Sequence, residues 1–223
     1  MELPTQLPHH YADLETANAL RPPVGGAGLI IGVDQHGAPV TVRVFDQEPR
    51  SYVVVGGLRL LQMLVVRMLA LNGRVLVHTE RPGAWGWVTR MASGASGSIA
   101  FGAADATVAR GTVHRPSVLV IDGDSGVENA TPAGTAWSAT LSGYDSLSQW
   151  NINALDAADA VFVQQLNPAE TQLVERRLSL QGLAQRLDEN APGMIGVLSR
   201  GSISTARVHL SGFERWVLKS VDR

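Results

Sequence analysis

Apolar residues fall in short, well-separated runs, and their spacing assigns most of the chain. Residues 28–33 and 40–45 are β-rich and flank Asp34-Gln35-His36-Gly37, which predicts a hairpin near the N-terminus. In the second run Val40, Val42 and Val44 take one face, and Thr41, Arg43 and Phe45 the other. A β-branched run at 51–55 ends at Gly56-Gly57, and an apolar stretch over 58–71 starts immediately. At 100° per residue Leu61, Leu64, Val65, Met68 and Leu69 share a face, with Arg59, Gln62 and Val66 opposite, so this stretch is a helix. Asn72-Gly73 stops it, and residues 74–78 form the next strand. Strand, helix and strand within about 30 residues make a right-handed crossover between parallel strands.

The alternation continues. Residues 81–92 carry Trp85 and Trp87 and are assigned to a helix, 93–98 to a loop, and 99–101 to a short strand. The run 117–122 is apolar throughout until Asp122, the pattern of a strand covered on both faces. Residues 123–151 are rich in Gly, Ser, Thr and Asn and read as an irregular hairpin with arms at 137–141 and 147–152. Residues 160–164 are a further buried strand. Asn167-Pro168-Ala169-Glu170 then opens a helix to about Leu178, with Asn as N-cap and Pro at the first position. Leu183 and Leu187 mark a second short helix, 194–198 and 205–210 are closing strands, and 213–221 is a terminal helix. The expected fold is α/β: a doubly wound, mostly parallel sheet with helices on both faces, degenerate P-loop/Rossmann-like, with an N-terminal β-hairpin. Residues 1–27, punctuated by Pro4, Pro8, Pro22, Pro23, Gly25 and Gly26, are an extended lead-in to a single domain at 28–223.

Composition narrows the function. With 18 basic and 20 acidic residues among 223, no basic surface for nucleic acid is expected. The absence of cysteine excludes a disulfide scaffold and a thiolate metal site. Residues 1–10 lack the charged-then-apolar order of a signal peptide. The 58–71 stretch, interrupted by Arg59, Gln62 and Arg67, is shorter than the roughly 20 apolar residues of a membrane span. Any membrane anchor lies outside this sequence, and the abrupt start at Met1-Glu2-Leu3-Pro4 suits a piece of a longer chain.

Four segments resemble chemistry. The order Val55-Gly56-Gly57-Leu58-Arg59 has the strand–glycine–helix layout of a phosphate site, where a helix N-terminus offers N–H groups and a positive dipole end. A working phosphate loop is longer and ends in Lys followed by Ser or Thr. Here Arg59 is the only cation, so the turn is read as structural. Asp122, closing an apolar strand, stands where nucleotide hydrolases hold magnesium. Without a lysine or hydroxyl on the other loop it is read as accepting turn hydrogen bonds. Gly123-Asp124-Ser125-Gly126 echoes a serine-protease nucleophile segment but sits in the wrong kind of fold, and Asp122 with Asp124 lacks the remaining ligands of a calcium loop. Gly26-Ala27-Gly28 precedes a strand, whereas a dinucleotide fingerprint follows one. The histidines have no metal spacing, and His78, ending a strand, is read as a satisfied buried side chain.

The residues Pro22-Pro23-Val24-Gly25-Gly26-Ala27-Gly28-Leu29-Ile30-Ile31-Gly32, Gly37-Ala38-Pro39-Val40, Val54-Val55-Gly56-Gly57, Val66-Arg67, Gly73-Arg74-Val75-Leu76-Val77 and the run from Ala158 to Glu170 resemble the C-terminal cytosolic part of the EccE family of the mycobacterial and actinobacterial type VII secretion system. That resemblance implies a structural subunit of an inner-membrane complex, on its cytosolic side, with EccB, EccC and EccD as partners. The expectation is therefore a non-catalytic interaction domain, not an enzyme, with no cofactor and no metal. Trp85, Trp87 and Trp150 are the proposed partner contacts, because aromatic residues are enriched at interfaces. The alternative is a nucleotide-binding module or weak NTPase using Gly56, Gly57, Arg59 and Asp122.

Overall fold

The computed structural model describes residues 28–86, 98–102, 106–125, 134–188 and 193–219. The lead-in over 1–27 and Trp87 lie outside them, as does the second half of the 81–92 segment. The strands are β1 (Gly28–Val33), β2 (Pro39–Arg43), β3 (Arg50–Val55), β4 (Arg74–His78), β5 (Ile99–Gly102), β6 (Ser117–Asp122), β7 (Ser138–Tyr144), β8 (Ala160–Val163), β9 (Met194–Ser199) and β10 (Ser202–Arg207). They form one sheet in the order β2-β1-β10-β9-β8-β3-β7-β6-β4-β5. The six strands from β8 to β5 are mutually parallel, and the four from β9 to β2 continue the sheet antiparallel. The mostly parallel α/β architecture read from the sequence is thus present, as is the hairpin. Its turn is fastened by Asp34, whose carboxylate accepts the amides of His36 and Ala38.

Helices α1 (Leu58–Ala70), α2 (Pro168–Leu178), α3 (Leu183–Asp188) and α4 (Gly212–Lys219) cover the two faces. Period-2 alternation in β3 divides the core between them. Tyr52 and Val54 pack with Leu61, Leu64, Val65 and Met68 of α1 and with Leu218 of α4. Val53 and Val55 pack with Val174, Leu178 and Leu183 of α2 and α3. Helix α1 lies tight on β7 because Gly143 has no side chain. A Cβ there would come within 2.4 Å of Leu61 Cδ2. Gln62 and Val66, expected on the outer face of α1, are buried, because α4 and the 3-10 turn Pro82–Trp85 cover that side. Gln62 Nε2 donates to the Ala84 carbonyl at 2.9 Å, which satisfies its burial.

Capping chemistry sets the helix starts. At α2 the Asn167 side chain accepts the Glu170 amide, and the Glu170 carboxylate accepts the Asn167 amide in return. Ser211 and Glu214 repeat this box at α4. One expectation is overturned outright. Residues 138–144 are not the arm of a peripheral hairpin but a central parallel strand, β7, between β3 and β6, and 147–152 forms no strand. Ser138 and Thr140 gave it a loop-like composition. Both are fully buried, with partners for their polar atoms.

Candidate phosphate site at the carboxyl edge of the sheet

Chain direction around β3 creates a crevice. The connection leaving β3 runs over β7 and β6 to reach β4, while the one leaving β7 runs back over β3 to reach β8. Open α/β sheets bind ligands where outgoing connections diverge in this way, outside the carboxyl ends of the strands. Gly56-Gly57 lies on that edge and leads into α1. Gly56 adopts φ 140° and Gly57, the N-cap, φ 86°, a region that favours glycine. A Cβ on Gly56 would also come within 2.8 Å of Gln164 Cβ. The Gly56 amide donates to the Tyr144 carbonyl at 3.2 Å, tying the turn to the end of β7.

Two strands away, Asp122 ends β6. Its side chain is 1% exposed, and its carboxylate is held by residues that follow β4. Oδ1 accepts from Arg81 Nη2 at 2.7 Å, and Oδ2 accepts from Arg81 Nε at 2.9 Å, Thr79 Oγ1 at 2.8 Å and Trp85 Nε1 at 3.3 Å. Burial pushes the Asp122 carboxyl up, but the bonds from Arg81, Thr79 and Trp85 outweigh it and hold it below the usual carboxylate range. The same pairing raises the Arg81 pKa, so this guanidinium stays charged. The fork is bidentate through Nε and Nη2, which leaves the Nη1 edge facing outward.

Asp145 links the two halves of the edge. Its Oδ1 lies 3.5 Å from the position a Cβ would take on Gly57, and its Oδ2 is 3.9 Å from Arg81 Nη1. A half-exposed carboxylate thus sits between the start of α1 and the outer edge of Arg81. Its own amide donates to Asp124, whose carboxyl is pushed up by burial and by Asp145 nearby.

The structure brings together Gly56, Gly57 and Asp122 at one edge but not Arg59. Arg59 is exposed and lines a small cavity with Leu60, Met63, Gln164 and Ile195, toward β9. The cation at the edge is Arg81, which sequence reasoning passed over as the first residue of a helix. The signal was Thr79-Glu80-Arg81, polar residues directly after an apolar strand. Asp122 accepts from side chains of the loop after β4. Trp85 is fully buried against Phe101 and Asp122, so it is a core residue and no partner contact. Trp150 is 94% exposed. His78 is buried as expected but not satisfied, since neither ring nitrogen has a hydrogen-bond partner among the described residues.

Elsewhere, a cleft of about 620 Å³ lies between β1, α1 and α4, lined by Leu29, Ile30, Val66, Leu69 and Phe213. Its charged groups, Arg67 and Glu214, are bonded to each other, so it carries no convergent chemistry. No helix among the described residues is long and apolar enough to cross a membrane.

No protein-family model matches the chain, and no curated protein matches it. Solved structures do. The DNA-packaging ATPase B204 from Sulfolobus turreted icosahedral virus aligns with 72% of this chain and 98% of its own, at 13% identity and TM-score 0.51. The genome packaging NTPase B204 from Sulfolobus turreted icosahedral virus 2, in complex with AMP, aligns with 73% of this chain and 98% of its own, at 12% identity and TM-score 0.50. The cytoplasmic domain of the type VII secretion ATPase EccC from Thermomonospora curvata aligns with 90% of this chain at 13% identity and TM-score 0.50. This chain spans about a third of that protein, 32% of its length.

The fold is a P-loop NTPase-like α/β fold. The expectation of a non-enzyme is corrected by this finding. The structures that share the fold are NTPases and ATPases, one of them holding a nucleotide, so the short glycine turn no longer supports ruling out catalysis.

Proposed function

We propose that the chain is a nucleotide-binding module with weak NTPase activity. The observation that carries this reading is the position of Asp145: a carboxylate flanked by the N-terminus of α1 and by Arg81 marks a place built to hold negative charge. A phosphate entering there displaces the Asp145 side chain, which is 51% exposed, and meets Gly57, the start of α1 and the outer edge of the Arg81 guanidinium. Asp122 is a positioning residue that aims Arg81. Of the residues read from the sequence, Gly56, Gly57 and Asp122 stay in the proposed site, whereas Arg59, which lies toward β9, does not. Turnover is slow, because neither a lysine nor a hydroxyl follows the two glycines.

The test is thermal shift and calorimetry with ATP, ADP and GTP, with phosphate release followed in parallel. Saturable stabilisation that is lost in Arg81→Ala supports the proposal. No stabilisation by any of the three sinks it.

The module is further proposed to work at the cytosolic side of a type VII secretion membrane complex, in an EccE-like position beside EccB, EccC and EccD. The EccE-like sequence segments and the fold shared with the EccC cytoplasmic domain support this. Trp150 is the proposed contact. It is displayed on a turn in which Asn151 Oδ1 accepts the Ser148 amide and Asn151 Nδ2 donates to the Ser146 carbonyl. Co-purification with those three subunits that is lost in Trp150→Ala is the expected result, and failure to co-purify with any of them removes the assignment.

A further inference from the structure

Proteins of this fold commonly meet their nucleotide through magnesium, held by a Ser or Thr at the helix start and, through water, by the acidic residue that ends a neighbouring strand. Neither of those two positions fits that ion here. After Gly57 come Leu58, Arg59, Leu60 and Leu61, so no hydroxyl stands in the first turn of α1. Asp122 occupies the acidic position, but both its oxygens are taken by four donors on Arg81, Thr79 and Trp85. Magnesium demands near-octahedral oxygen ligands and retains several waters, which need unshared lone pairs and space. A carboxylate 1% exposed and forked by a guanidinium offers neither. An ion brought there would also face the charge of Arg81. Among the described residues, no three His, Asp or Glu side chains converge on a cation position.

We infer that this site takes nucleotide phosphates free of metal, with the Arg81 guanidinium standing where a magnesium ion would otherwise neutralise them. The inference rests on the nucleotide-binding reading above and deepens it. The chemical class of ligand is then a free di- or triphosphate anion. Arg81 suits this role because it stays charged and presents planar donors that match phosphate oxygens. The arrangement replaces an exchangeable cation with one fixed by the fold, and it makes the Arg81–Asp122 fork a condition for binding.

The test uses the whole chain and compares ATP and pyrophosphate affinities in excess magnesium and in EDTA by calorimetry. Affinity in EDTA equal to or tighter than in magnesium, within about threefold, is expected. Tightening by magnesium beyond that overturns the inference while leaving the nucleotide reading intact. Absence of binding in both buffers fails the nucleotide reading, and the inference with it. A second measurement needs no nucleotide: manganese alone, followed by its paramagnetic resonance, is expected to remain free in solution with the wild-type chain. Manganese bound by the wild type and released in Asp122→Asn also overturns the inference, whatever the stability of that variant.

Discussion

Two arginine–carboxylate pairs stand at different places in the molecule and differ in what surrounds them. Arg67 on α1 donates through Nε to Glu214 of α4 at 2.6 Å, and its remaining groups reach the carbonyls of Ile30 and Ile31 in β1 and of His209. Glu214 in turn accepts the Ser211 amide. Every partner belongs to the frame, so this pair fastens α1, α4 and the antiparallel part of the sheet together. Arg81, by contrast, satisfies Asp122 with one edge and leaves the other toward Asp145 and solvent, with its side chain 34% exposed. A saturated arginine holds structure, whereas one fixed on a single edge is aimed at something outside itself.

The contrast breaks first on stability. Arg67→Ala leaves Glu214 charged among helices and β1, and breaking a buried pair in this way costs about 3–5 kcal/mol. Urea unfolding is expected to show that loss, with nucleotide affinity of the folded protein unchanged. Arg67→Met with Glu214→Leu recovers part of it, because no lone charge remains but the Ile30 and Ile31 carbonyls and the Ser211 amide lose their partners. Arg81→Ala is expected to move both readouts. It strands Asp122, and it lowers ATP affinity by roughly 10- to 100-fold, the value of a charge-assisted bond of about 1.5–3 kcal/mol. If Arg67→Ala weakened nucleotide binding as much as Arg81→Ala, the distinction between the pairs would be lost.

Both carboxylates have pKa values below their ordinary 3.8 and 4.5. For Glu214, burial pushes upward and Arg67 with Ser211 pulls further down. A depressed carboxylate contributes stability that is fully present above its ordinary pKa and is lost as pH falls through the lower folded value. The stability that these two carboxylates contribute is therefore expected to stay constant from neutral pH down to about pH 5 and to be lost below. In Arg67→Ala the acid transition moves to higher pH, because Glu214 no longer resists protonation. Acid unfolding followed by circular dichroism reads both midpoints, and an unchanged midpoint in the variant would deny Glu214 this role.

The fold was legible from periodicity wherever strands were uniformly apolar or helices were capped. Strand β6, the Asn167 cap and the β1–β2 hairpin are found where spacing put them. Strand β7 was not legible, because Ser138 and Thr140 look like loop residues by type, yet both are buried with their polar atoms partnered. The site was half legible. Gly56-Gly57 and Asp122 stand out in sequence, but Arg81 belongs to a connection whose meaning depends on β4 lying beside β6. Asp145 was invisible for a similar reason: its role comes from β7 being inserted between β3 and β6, a long-range fact of topology.

The smallest expected effect sharpens the comparison most. Asp145 is the anion already resting between α1 and Arg81, and an incoming phosphate competes with it. Asp145→Asn keeps the shape and removes the charge. Half-exposed charges near a helix start and an arginine are each worth about 0.3–1 kcal/mol, so ATP affinity should rise by only a few-fold. The gain should shrink in high salt, since the interaction is screened. Stability should change little, because Asp145 contributes no buried pair. The corresponding neutralisation at the other pair, Glu214→Gln, should do the reverse, lowering stability and leaving ATP affinity as it was. If Asp145→Asn weakened ATP binding, Asp145 would be a ligand of the nucleotide and not its competitor, and the phosphate position between Gly57 and Arg81 would have to be abandoned.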